Sequence, residues 1–151
     1  MKQLFLLIVG ALVTFSANAQ INDPVRWEFK SEKIAENTFE VHFTARIQAP
    51  WHIYAQDVNG EVGLPTTISF NKNPLVEVDG KPQELGKPEE KKIEGVLLKY
   101  YPGKVEFVQV VKLKAPIKAN ISGKVDYMAC TDSHCLPPAQ RGFSIFLDNK
   151  Q

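Results

Sequence analysis

Cys130 and Cys135 are the two cysteines of the 151-residue chain. They stand in the segment Tyr127-Met128-Ala129-Cys130-Thr131-Asp132-Ser133-His134-Cys135-Leu136-Pro137-Pro138. A disulfide needs Cα atoms within about 4.4–6.8 Å, so an extended run between these cysteines is too long to bridge and the chain must reverse. Thr131-Asp132-Ser133 supplies the turn chemistry, because short polar side chains bond the local backbone. Such a pair can carry out thiol–disulfide exchange, which needs an accessible sulfur, a thiolate and a second sulfur to resolve the mixed disulfide. His134 adjoins Cys135 and, when protonated, favours its thiolate, while Asp132 opposes that effect. Pro137 and Pro138 stiffen the exit and remove two backbone donors. Two other chemistries suit the same residues. The first is a structural staple, although closing a loop of about 6 residues contributes only ~2 kcal/mol, against nearly 5 for about 100 residues. The second is a soft metal site, since Cys130, His134 and Cys135 suit copper(I) or zinc; Met128 is nearby, but an ordinary core role accounts for it. The spacing is not the C-x-x-C of thioredoxin-like sites, and the βαβ pattern in which those sites sit is absent.

The elements that must position this pair have a period of two. Val25, Trp27 and Phe29 alternate with Arg26, Glu28 and Lys30. Phe39, Val41, Phe43, Ala45 and Ile47 alternate with polar neighbours, as do Phe143, Ile145 and Leu147 with Ser144 and Phe146. Val105, Phe107 and Gln109 share one side of their run. Successive side chains of a strand point to opposite faces, so each run predicts one buried and one exposed face. Turn signals recur between the runs, among them Ala49-Pro50, Asn59-Gly60, Asn73-Pro74, Asp79-Gly80 and Pro102-Gly103. No amphipathic window is long enough to predict a helix. Many short strands with frequent turns predict an all-β sandwich, with the cysteines on a connection between a strand over 121–128 and one over 142–147. The polar stretch Gly80–Leu98 is the least regular and reads as a solvated loop or, alternatively, a flap over a site. Trp27 and Trp51 read as core or rim aromatics, His42 as an exposed strand residue and His52 as a surface residue.

Hydrophobic residues make up 44% and charged residues 23%, as in ordinary globular proteins. Lys and Arg number 18 against 17 Asp and Glu, which leaves no excess charge for a nucleic-acid backbone or an anionic membrane. Residues 1–19 have the three-part pattern of a secretory signal: Lys2, an apolar run from Leu4 to Phe15, and small residues at Ala17 and Ala19. The apolar run is shorter than the roughly 20 residues of a spanning helix, and no later stretch is apolar enough to insert. Cleavage leaves residues 20–151 as one domain with balanced charge in an oxidising compartment, where cysteine pairs meet oxidants.

Three stretches resemble a known family, the amino-terminal periplasmic domain of the thiol–disulfide interchange protein DsbD and the related disulfide bond corrector domains. Pro50-Trp51-His52-Ile53-Tyr54 with Gly63-Leu64-Pro65-Thr66 is similar to the family's early G-W-H-I-Y … P-T region. Tyr101-Pro102-Gly103-Lys104-Val105-Glu106-Phe107 is similar to its Y-x-G-x-V-x-F strand entry. Gly123–Cys130 through Cys135–Pro138 is similar to its active-site strand and loop. The resemblance implies an immunoglobulin-like sandwich whose Cys130/Cys135 pair is redox-active. It implies electron transfer from a thioredoxin-like or membrane-embedded donor to oxidised periplasmic client proteins. Tyr54 matches an aromatic position flanking the site. Lys91-Lys92-Ile93-Glu94-Gly95 falls where some members carry a cap loop with an aromatic tip, and here Ile93 takes that place. No cofactor is expected. The sequence ends at Gln151, soon after its last strand run, so the donor is expected to be a separate protein.

Overall fold

A computed structural model of the chain describes residues 23–149, apart from 61, 62 and 94. The expected signal, residues 1–19, lies outside the described residues. The described residues form twelve strands: β1 (Val25–Ala35), β2 (Thr38–Ile47), β3 (His52–Tyr54), β4 (Thr67–Phe70), β5 (Val76–Val78), β6 (Gln83–Gly86), β7 (Glu89–Ile93), β8 (Val96–Pro102), β9 (Lys104–Leu113), β10 (Ala119–Tyr127), β11 (Ala129–Cys130) and β12 (Ala139–Leu147).

The alternating runs become the central strands. On β2, Phe39, Val41, Phe43, Ala45 and Ile47 are buried, and on β9 so are Val105, Phe107, Gln109 and Val111. β1, β2 and β9 pair antiparallel in that order, and β5 and β6 share the remaining edge of β9, which completes a five-stranded sheet. β10 lies between β12 and β4 in a three-stranded sheet. The two sheets face each other through aromatic rings. Phe43 meets Phe143 at 4.9 Å and Phe70 at 5.9 Å, and Trp27 meets Tyr127 at 5.4 Å. Burying each such side chain contributes roughly 2–3 kcal/mol, so this layer holds the sandwich together. The architecture is an immunoglobulin-like β-sandwich.

A third, four-stranded sheet of order β11-β3-β8-β7 covers one end. Two connections tie it to the sandwich. β10 runs on through Met128 into β11. β8 passes into β9 at Gly103, whose φ of 68° lies in the left-handed region that favours glycine. There its carbonyl accepts a bond from the Ile47 amide at 2.7 Å.

Three sequence expectations change, and the third, that His52 is a surface residue, gives way to a buried place beside the disulfide. The Gly80–Leu98 stretch is mostly strand, not loop: it contains β6, and β7 and β8 form a hairpin with Ile93 opposite Val96. All five residues of β7 are exposed, so no buried face imposes the alternation that betrays a strand. His42 is half-buried rather than free on the surface, with Nδ1 2.9 Å from Glu106 Oε1 on the neighbouring β9.

Candidate functional site

The cysteine segment is shaped by its own side chains. Cys130 pairs with His52 of β3 on one side and with Cys135 in an antiparallel bridge on the other. His52, Cys130 and Cys135 therefore form one lateral row across three neighbouring segments. Residues in such a row project to the same face. The two cysteines form a disulfide with Cα atoms 4.0 Å apart. The expected reversal is centred on Thr131. Its amide donates to the His134 carbonyl at 2.8 Å, and its hydroxyl oxygen accepts from the amides of Ser133 at 3.3 Å and His134 at 3.2 Å. The Leu136 amide then donates to the Ala129 carbonyl at 2.9 Å, which closes the base of the loop.

The two sulfurs have different surroundings. Cys130 is 0% exposed within the core cluster, whereas Cys135 is an exposed residue. Cys135 borders a cavity of about 210 Å³ whose walls include His52, Tyr54, Tyr100, Lys91 and Ile93. The β7–β8 hairpin forms one side of this cavity, so Ile93 and Lys91 stand over the disulfide side of the sheet. Lys91 Nζ lies 3.4 Å from Asp132 Oδ1 and joins the hairpin to the cysteine loop. Both partners are well exposed, and such a pair is worth at most about 1 kcal/mol.

The remaining predicted residues take distinct places. Tyr54 is buried, and an added Cβ at Gly63 would stand 3.0 Å from its ring, so glycine is what allows that close approach. Thr66 Oγ1 donates to the Tyr54 carbonyl at 2.6 Å. The His134 ring lies edge-on to Trp51 with centroids 5.1 Å apart, and its Nδ1 is 3.1 Å from Thr131 Oγ1. Pro137 lies on the far side of the loop, where with Leu136, Pro138 and Tyr127 it lines a cavity of about 400 Å³. There Asp23 Oδ2 accepts from Tyr127 Oη at 2.6 Å and from Arg141 at 2.7 Å, anchoring the end of β10. Burial, then the bond to Asp23, pushes the Tyr127 phenol up to about 12.

Sequence reasoning missed His52 and Trp51 as parts of the site. His52 is buried, with its ring 4.4 Å from that of Tyr100 and 5.6 Å from that of Tyr54. Burial holds its imidazole below the usual histidine range. The Asp132 carboxylate opposes this, the Lys91 ammonium adds to it and the Glu89 carboxylate opposes it. Burial also raises the Tyr54 phenol, and burial together with the Glu89 carboxylate, which accepts from its hydroxyl, raises that of Tyr100. The usable signal was the period of two in Trp51-His52-Ile53-Tyr54. Once Ile53 is assigned to the core, His52 and Tyr54 must share the other face. Among the described residues, no three His, Cys, Asp or Glu side chains converge as metal ligands.

A disulfide at the end of an immunoglobulin-like sandwich, with one cysteine buried and one exposed, fits the class of thiol–disulfide interchange domains. Comparison with known proteins gives the family. Residues 18–147 match the family described as thiol:disulfide interchange protein DsbD, N-terminal, and the chain belongs to it. No curated protein matches. Among solved structures, the N-terminal periplasmic domain of ScsB from Proteus mirabilis is similar with a TM-score of 0.57 and 16% identity, over 86% of this chain. This chain spans about half of that one, 48%. The reduced N-terminal domain of DsbD from Neisseria meningitidis is similar with a TM-score of 0.53 and 17% identity, over 83% of this chain and 86% of that one. A complex of the DsbD and PilB N-terminal domains from the same organism matches with a TM-score of 0.52 and 18% identity, over 83% and 87%. At these identities the likeness shows a shared fold. Among the described residues no helix is long and apolar enough to cross a membrane.

Proposed function

We propose that this chain is exported by a cleavable signal over residues 1–19 and works in the periplasm as an electron relay, exchanging its Cys130–Cys135 disulfide with those of other proteins. The observation that carries the reading is the asymmetry of the bridge: an exposed Cys135 beside a cavity, backed by a buried Cys130. In the outgoing direction the Cys135 thiolate attacks a client disulfide and expels one client thiolate. Cys130 then attacks Cys135 Sγ, re-forms the internal bridge and releases the second client sulfur. A thioredoxin-like or membrane-embedded dithiol protein returns the chain to its reduced form by the reverse exchange. His134, held by Thr131 and Trp51, and Asp132, tied to Lys91, shape the loop around the attacking sulfur. Tyr54 and Ile93 line the cavity beside it, and Pro137 stiffens the exit. The Neisseria complex, in which a DsbD N-terminal domain is held by another protein's domain, supports a relay that docks protein partners.

The reduction potential tests this reading. A relay equilibrates with couples of roughly −120 to −270 mV, while structural bridges fall below about −300 mV. A value in the lower range overturns the proposal. The reduced chain keeps its fold, because opening so short a loop costs only about 2 kcal/mol.

A further inference from the structure

We infer that His52 is the proton acceptor for Cys130 in the step that closes the disulfide. The inference rests on the exchange reading above and adds to it a residue with a defined task. In the disulfide form Cys130 has no exposed surface; a thiol held in that place has no direct path for its proton to solvent, and an apolar setting disfavours the thiolate. The row that places Cys135 on one side of Cys130 places His52 on the other. Residues directly opposite across an antiparallel pair have Cβ atoms about 5 Å apart. His52 also lines the cavity that Cys135 borders. Its place in the row sets it between Cys130 and a cavity that solvent-exposed Asp132 and Ser133 also line.

The imidazole has the right state for the task. Burial keeps it neutral at neutral pH, against the opposing carboxylates of Asp132 and Glu89 and with the help of the Lys91 ammonium. Tyr54 on its own strand and Tyr100 on β8 pack against its ring, and His134 lines the same cavity. Both phenols are held above their usual range, so neither competes as a base. In the step itself the bond between Cys135 Sγ and the partner sulfur breaks, and its electron pair leaves on the partner as a thiolate. The Cys130–Cys135 bond forms, and the Cys130 thiol proton passes to His52. The imidazolium then releases that proton through the cavity, to water or to the departing thiolate.

The test uses the mature chain, reduced, with oxidised glutathione as the probe. Acid-quenched mass spectrometry follows the glutathionylated intermediate and its resolution across pH. With His52→Gln, intermediate formation at Cys135 proceeds at the wild-type rate. Its resolution slows by about 100-fold near neutral pH, the low end of a general-base contribution, and recovers as the pH rises toward ionisation of the thiol itself. Resolution at the wild-type rate, or slowing by one factor at every pH, overturns the inference. A wild-type chain that never forms the intermediate instead removes the exchange reading beneath it. Nuclear magnetic resonance on wild-type protein provides a check that needs no folded variant. The His52 titration midpoint moves between the oxidised and reduced chains, and an identical midpoint in both overturns the inference.

Discussion

Cys130 and Cys135 share one β-bridge, with Cα atoms 4.0 Å apart, yet Cys130 is sealed in the core while Cys135 stands at the surface. A partner's sulfur must approach in line with the bond it attacks, and only Cys135 offers that approach. With Cys130→Ala, Cys135 forms mixed disulfides that nothing within the chain can resolve. Covalent complexes with partners therefore accumulate and are seen on non-reducing gels of the native compartment. With Cys135→Ala the remaining thiol is buried and few complexes form. The opposite ranking would assign the attacking role to Cys130.

The β7–β8 hairpin predicts a graded effect on access. Ile93 lines the cavity beside Cys135, whereas Leu97 pairs with Lys92, one register step away, and stands on the other face, 57% exposed. Ile93→Ala therefore speeds reduction of the disulfide by dithiothreitol roughly 3–10-fold, equivalent to about 1 kcal/mol of lost cover. Leu97→Ala removes as much apolar surface from the same hairpin and leaves that rate unchanged. Lys91→Ala breaks only the exposed pair with Asp132, so its effect is smaller and fades with added salt. Equal rates for Ile93→Ala and wild type would show that the hairpin does not shield the sulfurs.

The sandwich was legible because its central strands bury one face each. Phe39–Ile47 and Phe143–Leu147 announce their faces residue by residue, and the structure buries the residues they nominate. The cysteine turn was legible for a similar reason, since Thr131-Asp132-Ser133 is local chemistry and its bonds are local. What escaped notice depends on tertiary placement. β7 carries no buried face, so Glu89–Ile93 reads as a polar loop although it is half of a hairpin. His52 is polar by type, and only the cover supplied by Tyr54, Tyr100 and the hairpin makes it a buried residue beside the disulfide.

His52 also predicts how stability depends on pH. Its folded-state value lies below the 6.5 of an unfolded chain. Above that pH the imidazole is neutral in both states and contributes no pH dependence. As the pH falls through 6.5 the unfolded chain takes up the proton first, so folding stability declines until the folded-state value is passed. Urea unfolding of oxidised protein from about pH 7.5 down to about 5 reads this as a falling midpoint. His52→Gln flattens the decline across that window relative to wild type. Asp126, whose carboxyl is held low first by its bond from Gln140 and then by Lys124, weakens the fold only at more acidic pH. A variant that tracks wild type across the window would mean that the imidazole is no harder to protonate in the folded chain than in the unfolded one.

Among the described glycines, Gly123 leaves the least room for a side chain. It sits on β10 between Phe70 of β4 and Phe143 of β12. A Cβ there would stand 2.0 Å from the Ser69 carbonyl oxygen and 2.6 Å from Phe143 Cζ. The Phe143 ring is itself wedged against Phe43 and Phe70, and the carbonyl belongs to the backbone of β4, so neither can yield cheaply. Gly123→Ala therefore costs about 3 kcal/mol or more, at the upper end for overpacking a core. By contrast, a Cβ at Gly142, opposite Lys124 on β10, meets only ordinary contact at 3.9 Å. Gly142→Ala leaves the melting temperature nearly unchanged, while Gly123→Ala lowers it by roughly 10 °C. Because β10 leads directly into β11, the loosened Gly123→Ala protein also reduces faster with dithiothreitol. Equal melting temperatures for the two variants would mean that β4 does not press on β10 as closely as its carbonyl position requires.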